Sequence, residues 1–357
     1  MRSGSAAAPD PRGRPRGSRC TGNSSSDGPV SKLIAYTKLF PGERAEEVWT
    51  AHLDGSGARR LARGFASSVS PDGRWVAFLR CSDLDPYCNF YDLYVIGSGG
   101  GTARLLARGV HAPEWSRNSD RVVVYREISI LIEALVNIDV ESGRRVELAR
   151  GSLHGWSFSP SGDEVVYARA TGPCARASCM LGEKVDLYVI AAEGGEPRRL
   201  TADGRGGFPV WGPRAIAFSR LLPYRGWGRD EIWLIDPNGG NRQTLTGPVP
   251  KHLLGQGFSG LRPIAWSDDG NELVAARMNE FGGPPYAVDP QSGAIRRIGD
   301  FGFCAWPAGL SRDGRFVLVV EGCGFGTGAD LRVDAIPYRG GRARLIATSA
   351  GSPSWNR

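Results

Sequence analysis

Two histidines and an arginine hold matching places in a repeated sequence. His111 stands four residues before Trp115, His154 four before Phe158 and Arg262 four before Trp266. Imidazoles titrate near neutral pH and ligate metals through either ring nitrogen, so two of them in adjacent repeats suit a shared metal ion or a proton transfer. A guanidinium suits an anionic group. The same register holds Phe65, Gly207, Trp306 and Gly351 in the other copies, which confines this chemistry to three of seven. The bland alternative is a pair of solvated loop histidines. Arg205, Tyr224 and Trp227 complete the candidate ligand-binding set, in loops that lead into first strands or join second to third strands, and His252 in the segment 246–261 is a further candidate from the same side. No Gly-x-Ser-x-Gly elbow, phosphate-binding Walker loop, His-Glu-x-x-His or dinucleotide fingerprint occurs, so no catalytic residue is assigned.

The register exists because a phrase recurs along the chain every 40 to 50 residues or so, a period that points to a β-propeller. Its fullest copy runs Ser70-Pro71-Asp72-Gly73, an apolar strand to Arg80, Asp92-Leu93-Tyr94-Val95-Ile96, the turn Gly99-Gly100-Gly101, and Ala103-Arg104-Leu105-Leu106-Ala107. Each copy supplies four strands. The second, such as Leu33 to Lys38 and Phe316 to Glu321, are nearly continuously apolar, as sheets covered on both faces require. A bulky residue closes each first strand: Val69, Trp115, Phe158, Trp211, Trp266, Leu310 and Trp355. The first copy begins at its second strand and Trp355 ends a lone first strand, so a ring closes if the two join. The expected fold is therefore all-β: a seven-bladed β-propeller of four-stranded antiparallel blades, closed by the C-terminal strand in the N-terminal blade. Residues 31–357 are expected to form this single domain, and 1–30 a disordered leader or tether poor in apolar side chains.

Composition agrees. Gly 50 and Pro 24 in 357 residues suit many strands and turns. No run of 18 apolar residues exists, so no transmembrane span is expected. The net charge of +7 divides into +3 from five Arg and two Asp in residues 1–30 and +4 over the remainder. Much of the arginine sits in last strands, at Arg59, Arg60, Arg144, Arg145, Arg198, Arg199, Arg296, Arg297, Arg342 and Arg344, where charge guards an exposed edge. Nucleic acid is not expected as a partner.

Six of the seven cysteines pair by position: Cys81 with Cys88, Cys174 with Cys179, and Cys304 with Cys323 across the turn Ser311-Arg312-Asp313-Gly314. That count suits a secreted or lipid-anchored protein; six free thiols in a cytosolic one is the alternative. The seventh, Cys20, precedes Thr21-Gly22-Asn23-Ser24-Ser25-Ser26-Asp27, which resembles the tether after the acylated cysteine of bacterial lipoproteins, although the apolar run of a signal segment does not stand before it.

The repeat as a whole resembles the WD-like repeats of TolB-type propellers, in the turns Ser70-Pro71-Asp72-Gly73, Trp266-Ser267-Asp268-Asp269-Gly270 and Ser311-Arg312-Asp313-Gly314. Trp211-Gly212-Pro213-Arg214 is a shortened copy. The resemblance implies a bacterial, extracytoplasmic, monomeric protein without cofactor that binds a protein or a cell-envelope component at its channel mouth. It also implies an alternative, a metal-assisted lyase or hydrolase on an acidic saccharide, because some such propellers use channel-mouth histidines with a metal.

Overall fold

The computed structural model describes residues 33–40, 46–82, 88, 90–129, 132–172, 184–220, 231–247, 260–277, 283–302, 304–322 and 330–355. They form seven four-stranded antiparallel sheets, with no helix among the described residues. The strands called first here are Ala350–Trp355 in blade 1, Phe65–Val69 in blade 2, Val110–Trp115 in blade 3, Leu153–Phe158 in blade 4, Gly206–Trp211 in blade 5, Leu261–Trp266 in blade 6 and Ala305–Leu310 in blade 7. Blade 1 takes its other strands from the opposite end of the chain, Leu33–Lys38, Glu47–His52 and Arg59–Arg63, so the ring closes as the sequence predicts.

Seven apolar clusters hold the described residues together, and each lies between two neighbouring blades. The second strand shows why a continuous apolar run is needed. In Leu33–Lys38, Ile34 and Tyr36 pack toward blade 7 while Ala35 packs toward blade 2. Successive side chains point to opposite faces, and both faces are interior.

The closing residue of the first strand ties blades to one another. Trp115 Nε1 donates to the Ser68 carbonyl at 2.9 Å, Trp266 Nε1 to Val210 at 3.2 Å and Trp355 Nε1 to Gly309 at 3.3 Å. Each acceptor lies one residue before the equivalent position of the preceding blade. The following turn has a structural role as well. Ser70 Oγ donates to Asp72 Oδ1 at 2.6 Å, Arg74 N–H donates to the same oxygen at 3.0 Å, and Gly73 supplies the φ of +73° that the turn requires.

The acid that opens many third strands caps the outer edge. Asp186 is fully buried and accepts from Arg199 at 2.6 Å, Thr201 Oγ1 at 2.9 Å and the Gly204 N–H at 3.0 Å; Asp92 accepts from Arg108 at 2.8 Å. Edge arginines do more than solvate an edge. Arg145 donates to the Leu106 carbonyl of blade 2 at 2.8 Å, and Arg296 to the Tyr338 carbonyl of blade 7 at 2.8 Å, so they also bridge blades.

Candidate functional site at the channel mouth

Every first strand is bulged close to its start, where it enters from the loop face. Pairing with the second strand slips between Phe65 and Ser68, His111 and Glu114, Leu153 and Trp156, and Gly207 and Val210. The residue after the register position then takes positive φ: Ala66 at 48°, Ala112 at 51°, Gly155 at 94°, Phe208 at 50° and Ser352 at 46°. In the other two blades that place is Pro263 and Pro307, whose rings fix φ near −65°, and the slip is one residue shorter. Such bulges bend a strand and re-aim its side chains. For Phe208, a bulky residue, positive φ costs of order 1–3 kcal/mol, which the surrounding blades must hold in place.

Arg262 meets this strained residue. Its guanidinium lies over the Phe208 ring, 4.9 Å from the centroid, bridging blades 6 and 5. Burial moves its pKa downward from the ordinary arginine value. Its Nε is buried without a hydrogen-bond partner, and it makes no ion pair among the described residues. Among the described residues this half-buried cation has a π-face beside it and no anion.

The histidines are each held within their own blade. His111 Nε2 is 3.0 Å from Glu133 Oε1, and its ring lies 5.4 Å from that of Tyr125. His154 Nε2 is 3.3 Å from Ser152 Oγ. Tyr125 stands between the two strands: its ring meets Trp156 of blade 4 edge-on at 6.5 Å, and Gly155 contributes a backbone hydrogen bond to its hydroxyl. Burial first, then the charge of Glu133, pushes that hydroxyl well above the ordinary tyrosine value, so it stays neutral. Arg205 is half-buried at the entrance to blade 5, bridged through its backbone to Val185. Tyr224, Trp227 and His252 lie outside the described residues.

Among the described residues, no three His, Cys, Asp or Glu side chains converge as a metal site. His111 is engaged by one carboxylate, that of Glu133. What the mouth offers instead is Arg262 on Phe208, flanked by a polar and aromatic wall from blades 3 and 4.

An ion-pair cluster spans the opposite end of the channel. Arg117, in the turn after the first strand of blade 3, bonds Asp268 in the equivalent turn of blade 6, and Arg312 of blade 7 bonds the other oxygen of the same carboxylate. Blades 3 and 6 are three places apart in a ring of seven, so the Arg117–Asp268 pair must cross the channel. Around it, turn bonds turn: Asp72 N–H to Ser119 Oγ at 3.0 Å, Asn118 Nδ2 to the Ser161 carbonyl at 3.0 Å, and Asp268 N–H to the Arg312 carbonyl at 3.0 Å. The register singles out Arg262, whose guanidinium lies on Phe208. It missed Phe208, one residue past the same register, and the cross-ring tie.

A disulfide joins Cys81 and Cys88, at the loop face of blade 2. Cys304 is disulfide-bonded too, and its carbonyl accepts from the Gly322 N–H at 3.0 Å, next to the expected partner Cys323. Cys323, Cys174, Cys179 and Cys20 lie outside the described residues. No helix among the described residues is long and apolar enough to cross a membrane.

These features define a seven-bladed β-propeller of four-stranded antiparallel sheets. Among solved structures the chain is similar to TolB from Acinetobacter baumannii, at 15% identity and a TM-score of 0.55 over 91% of this chain and 82% of that one. The β-propeller domain of the Trilobed protease from Pyrococcus furiosus matches at 13% identity and TM-score 0.63, over 89% and 92%. Oligogalacturonate lyase in complex with manganese matches at 15% and 0.58, over 89% and 86%. At these identities the likeness is one of fold, shared by TolB, a lyase and peptidase-associated propellers alike. No protein-family model and no curated protein matches the chain in sequence.

Proposed function

We propose that this protein is a non-enzymatic propeller that binds an anionic group of a protein or cell-envelope ligand at its channel mouth, with Arg262 as the recognising cation. The observation that carries the reading is a half-buried guanidinium, its Nε fully enclosed, stacked on Phe208 without a carboxylate partner among the described residues. A carboxylate or phosphate seated there restores the missing charge, and low polarity strengthens the pairing. His111, His154, Arg205, Tyr224 and Trp227 complete the proposed site. The ion pair across the turn face supports entry from the loop face. The Cys81–Cys88 disulfide supports work outside the cytoplasm.

The test is a binding array of acidic and neutral peptides and oligosaccharides, probed with the wild-type chain, Arg262→Met, His111→Ala and His154→Ala. Binding to acidic members that is lost in Arg262→Met supports the reading. Equal binding by Arg262→Met removes it. New chain ends appearing in an acidic saccharide, abolished by either histidine change, would replace it with the lyase or hydrolase alternative.

A further inference from the structure

The copy of the repeat that departs furthest from the others sits beside a cleft on the turn face. Blade 5 connects its first two strands through Gly212 to Ala215, one residue fewer than the Ser70 to Arg74 turn of blade 2, and Gly212 N–H bonds the Ala215 carbonyl at 2.9 Å to close it. The shorter turn lies flat on its neighbour: a Cβ on Gly212 would stand 2.8 Å from the indole of Trp266. The cleft that remains between blades 5, 6 and 7 has a volume of about 760 Å³, within the range of small-molecule sites.

Its charges do not balance. Arg214, Arg296 and Arg339 line it with only two carboxylates, Glu272 and Asp289. Glu272 is taken by Arg339 at 3.1 Å. Asp289 accepts the N–H groups of Ser292 at 2.8 Å and Gln291 at 2.9 Å, which hold its pKa below the usual carboxylate value. Among the described residues Arg214 and Arg296 find neutral acceptors only: the Asp269 carbonyl at 2.8 Å and Asn271 Oδ1 at 2.7 Å for the first, the Tyr338 carbonyl at 2.8 Å for the second. A guanidinium carries five N–H donors, so each keeps donors for an anion. Trp266 and Tyr338, also in the lining, offer ring surface for an apolar body.

We infer that this cleft is a second binding site, for a small ligand that carries a carboxylate or phosphate on a ring, with Arg214 and Arg296 meeting the anion. It lies on the face opposite Arg262 and stands independently of the channel-mouth reading.

Ligand-observed NMR titrations of the full chain with benzoate, phenyl phosphate and the neutral benzyl alcohol test it. At least one anion is expected to bind about tenfold more tightly than the alcohol, the worth of one charge-assisted contact. The better of the two identifies carboxylate or phosphate as the preferred head. Arg214→Gln, an exposed position, is expected to remove that advantage. Equal affinity for the alcohol, no saturation by either anion in the millimolar range, anion binding untouched by Arg214→Gln, or an anion displaced only by Arg262→Met would each overturn the inference.

Discussion

Replacing Trp355 by Ala tests ring closure at its most concentrated point. The side chain is 3% exposed and packs with Ile34, Tyr36, Leu318 and Val333, across the junction of blades 1 and 7. Its Nε1 donates to Gly309, and the preceding Ser354 Oγ accepts from the Val69 N–H at 3.0 Å, so residues 354 and 355 contact both neighbours of blade 1. Truncating a buried aromatic costs about 3–5 kcal/mol, transfer and cavity contributions together. With an unfolding entropy of about 2.1 cal/mol/K per residue over roughly 320 residues, a loss of about 4 kcal/mol lowers Tm by about 6 °C. Calorimetry of Trp355→Ala beside Trp75→Ala, a tryptophan 39% exposed, provides the contrast. The exposed change is expected within about 1 °C of wild type. Equal and small shifts for both variants would refute closure by the terminal strand, as would unchanged unfolding after deletion of residues 350–355.

Other consequences follow from local chemistry. Asp268→Ala is expected to cost about 2 kcal/mol in urea unfolding, more than Arg117→Ala or Arg312→Ala, because it leaves two guanidiniums facing each other without their shared carboxylate. Equal costs for all three would show the tie to be dispensable. Replacing Cys81 and Cys88 together by Ser is expected to cost about 2 kcal/mol, since the loop they close is short; non-reducing mass spectrometry of the native chain should find this pair intact. Asp269 and Asp139 have pKa values held below the usual carboxylate range, first by the hydroxyls of Ser267 and Ser142 and then by backbone N–H groups. Their folded values lie below their unfolded ones, so their stabilisation is complete above the unfolded value and is lost as pH falls from about 4 toward the folded value. Asp269→Asn should therefore flatten the acid limb of a Tm-against-pH curve, and an unchanged limb would contradict the assignment.

The fold was legible because every copy repeats the same local instructions. The glycine of the Ser70–Gly73 turn, the doubly buried second strand and the bulky end of the first strand each have a local physical cause, and seven copies in register also expose the unpaired terminal strand. Arg262 was legible from that register, but its stacking on Phe208 was not, because the bulge that turns Phe208 to positive φ arises from packing around the ring. The His111–Glu133 contact was hidden by a slip of one residue. Blade 3 carries Ala134 opposite Arg126, where blades 2 and 4 place Asp92 and Asp186 opposite Arg80 and Arg169. Glu133, one place earlier, takes the other face of the pleat. Arg117 and Asp268 meet across 151 positions because of the ring's diameter, a property of the number of blades. The shortened turn at Gly212 was visible at once, whereas the cleft beside it depends on three blades together.

The central claim is that Arg262 is a half-buried cation kept for an anionic ligand. It is tested most directly by urea unfolding of wild type and Arg262→Met, without and with succinate. Without the carboxylate, Arg262→Met is expected to be the more stable by about 1 kcal/mol, because relief of a partly desolvated charge and an unpartnered Nε outweighs the lost cation–π contact. Added succinate should stabilise wild type alone, closing that gap in proportion to RT ln(1 + [L]/Kd). An Arg262→Met chain less stable than wild type, with both responding equally to succinate, would contradict the account.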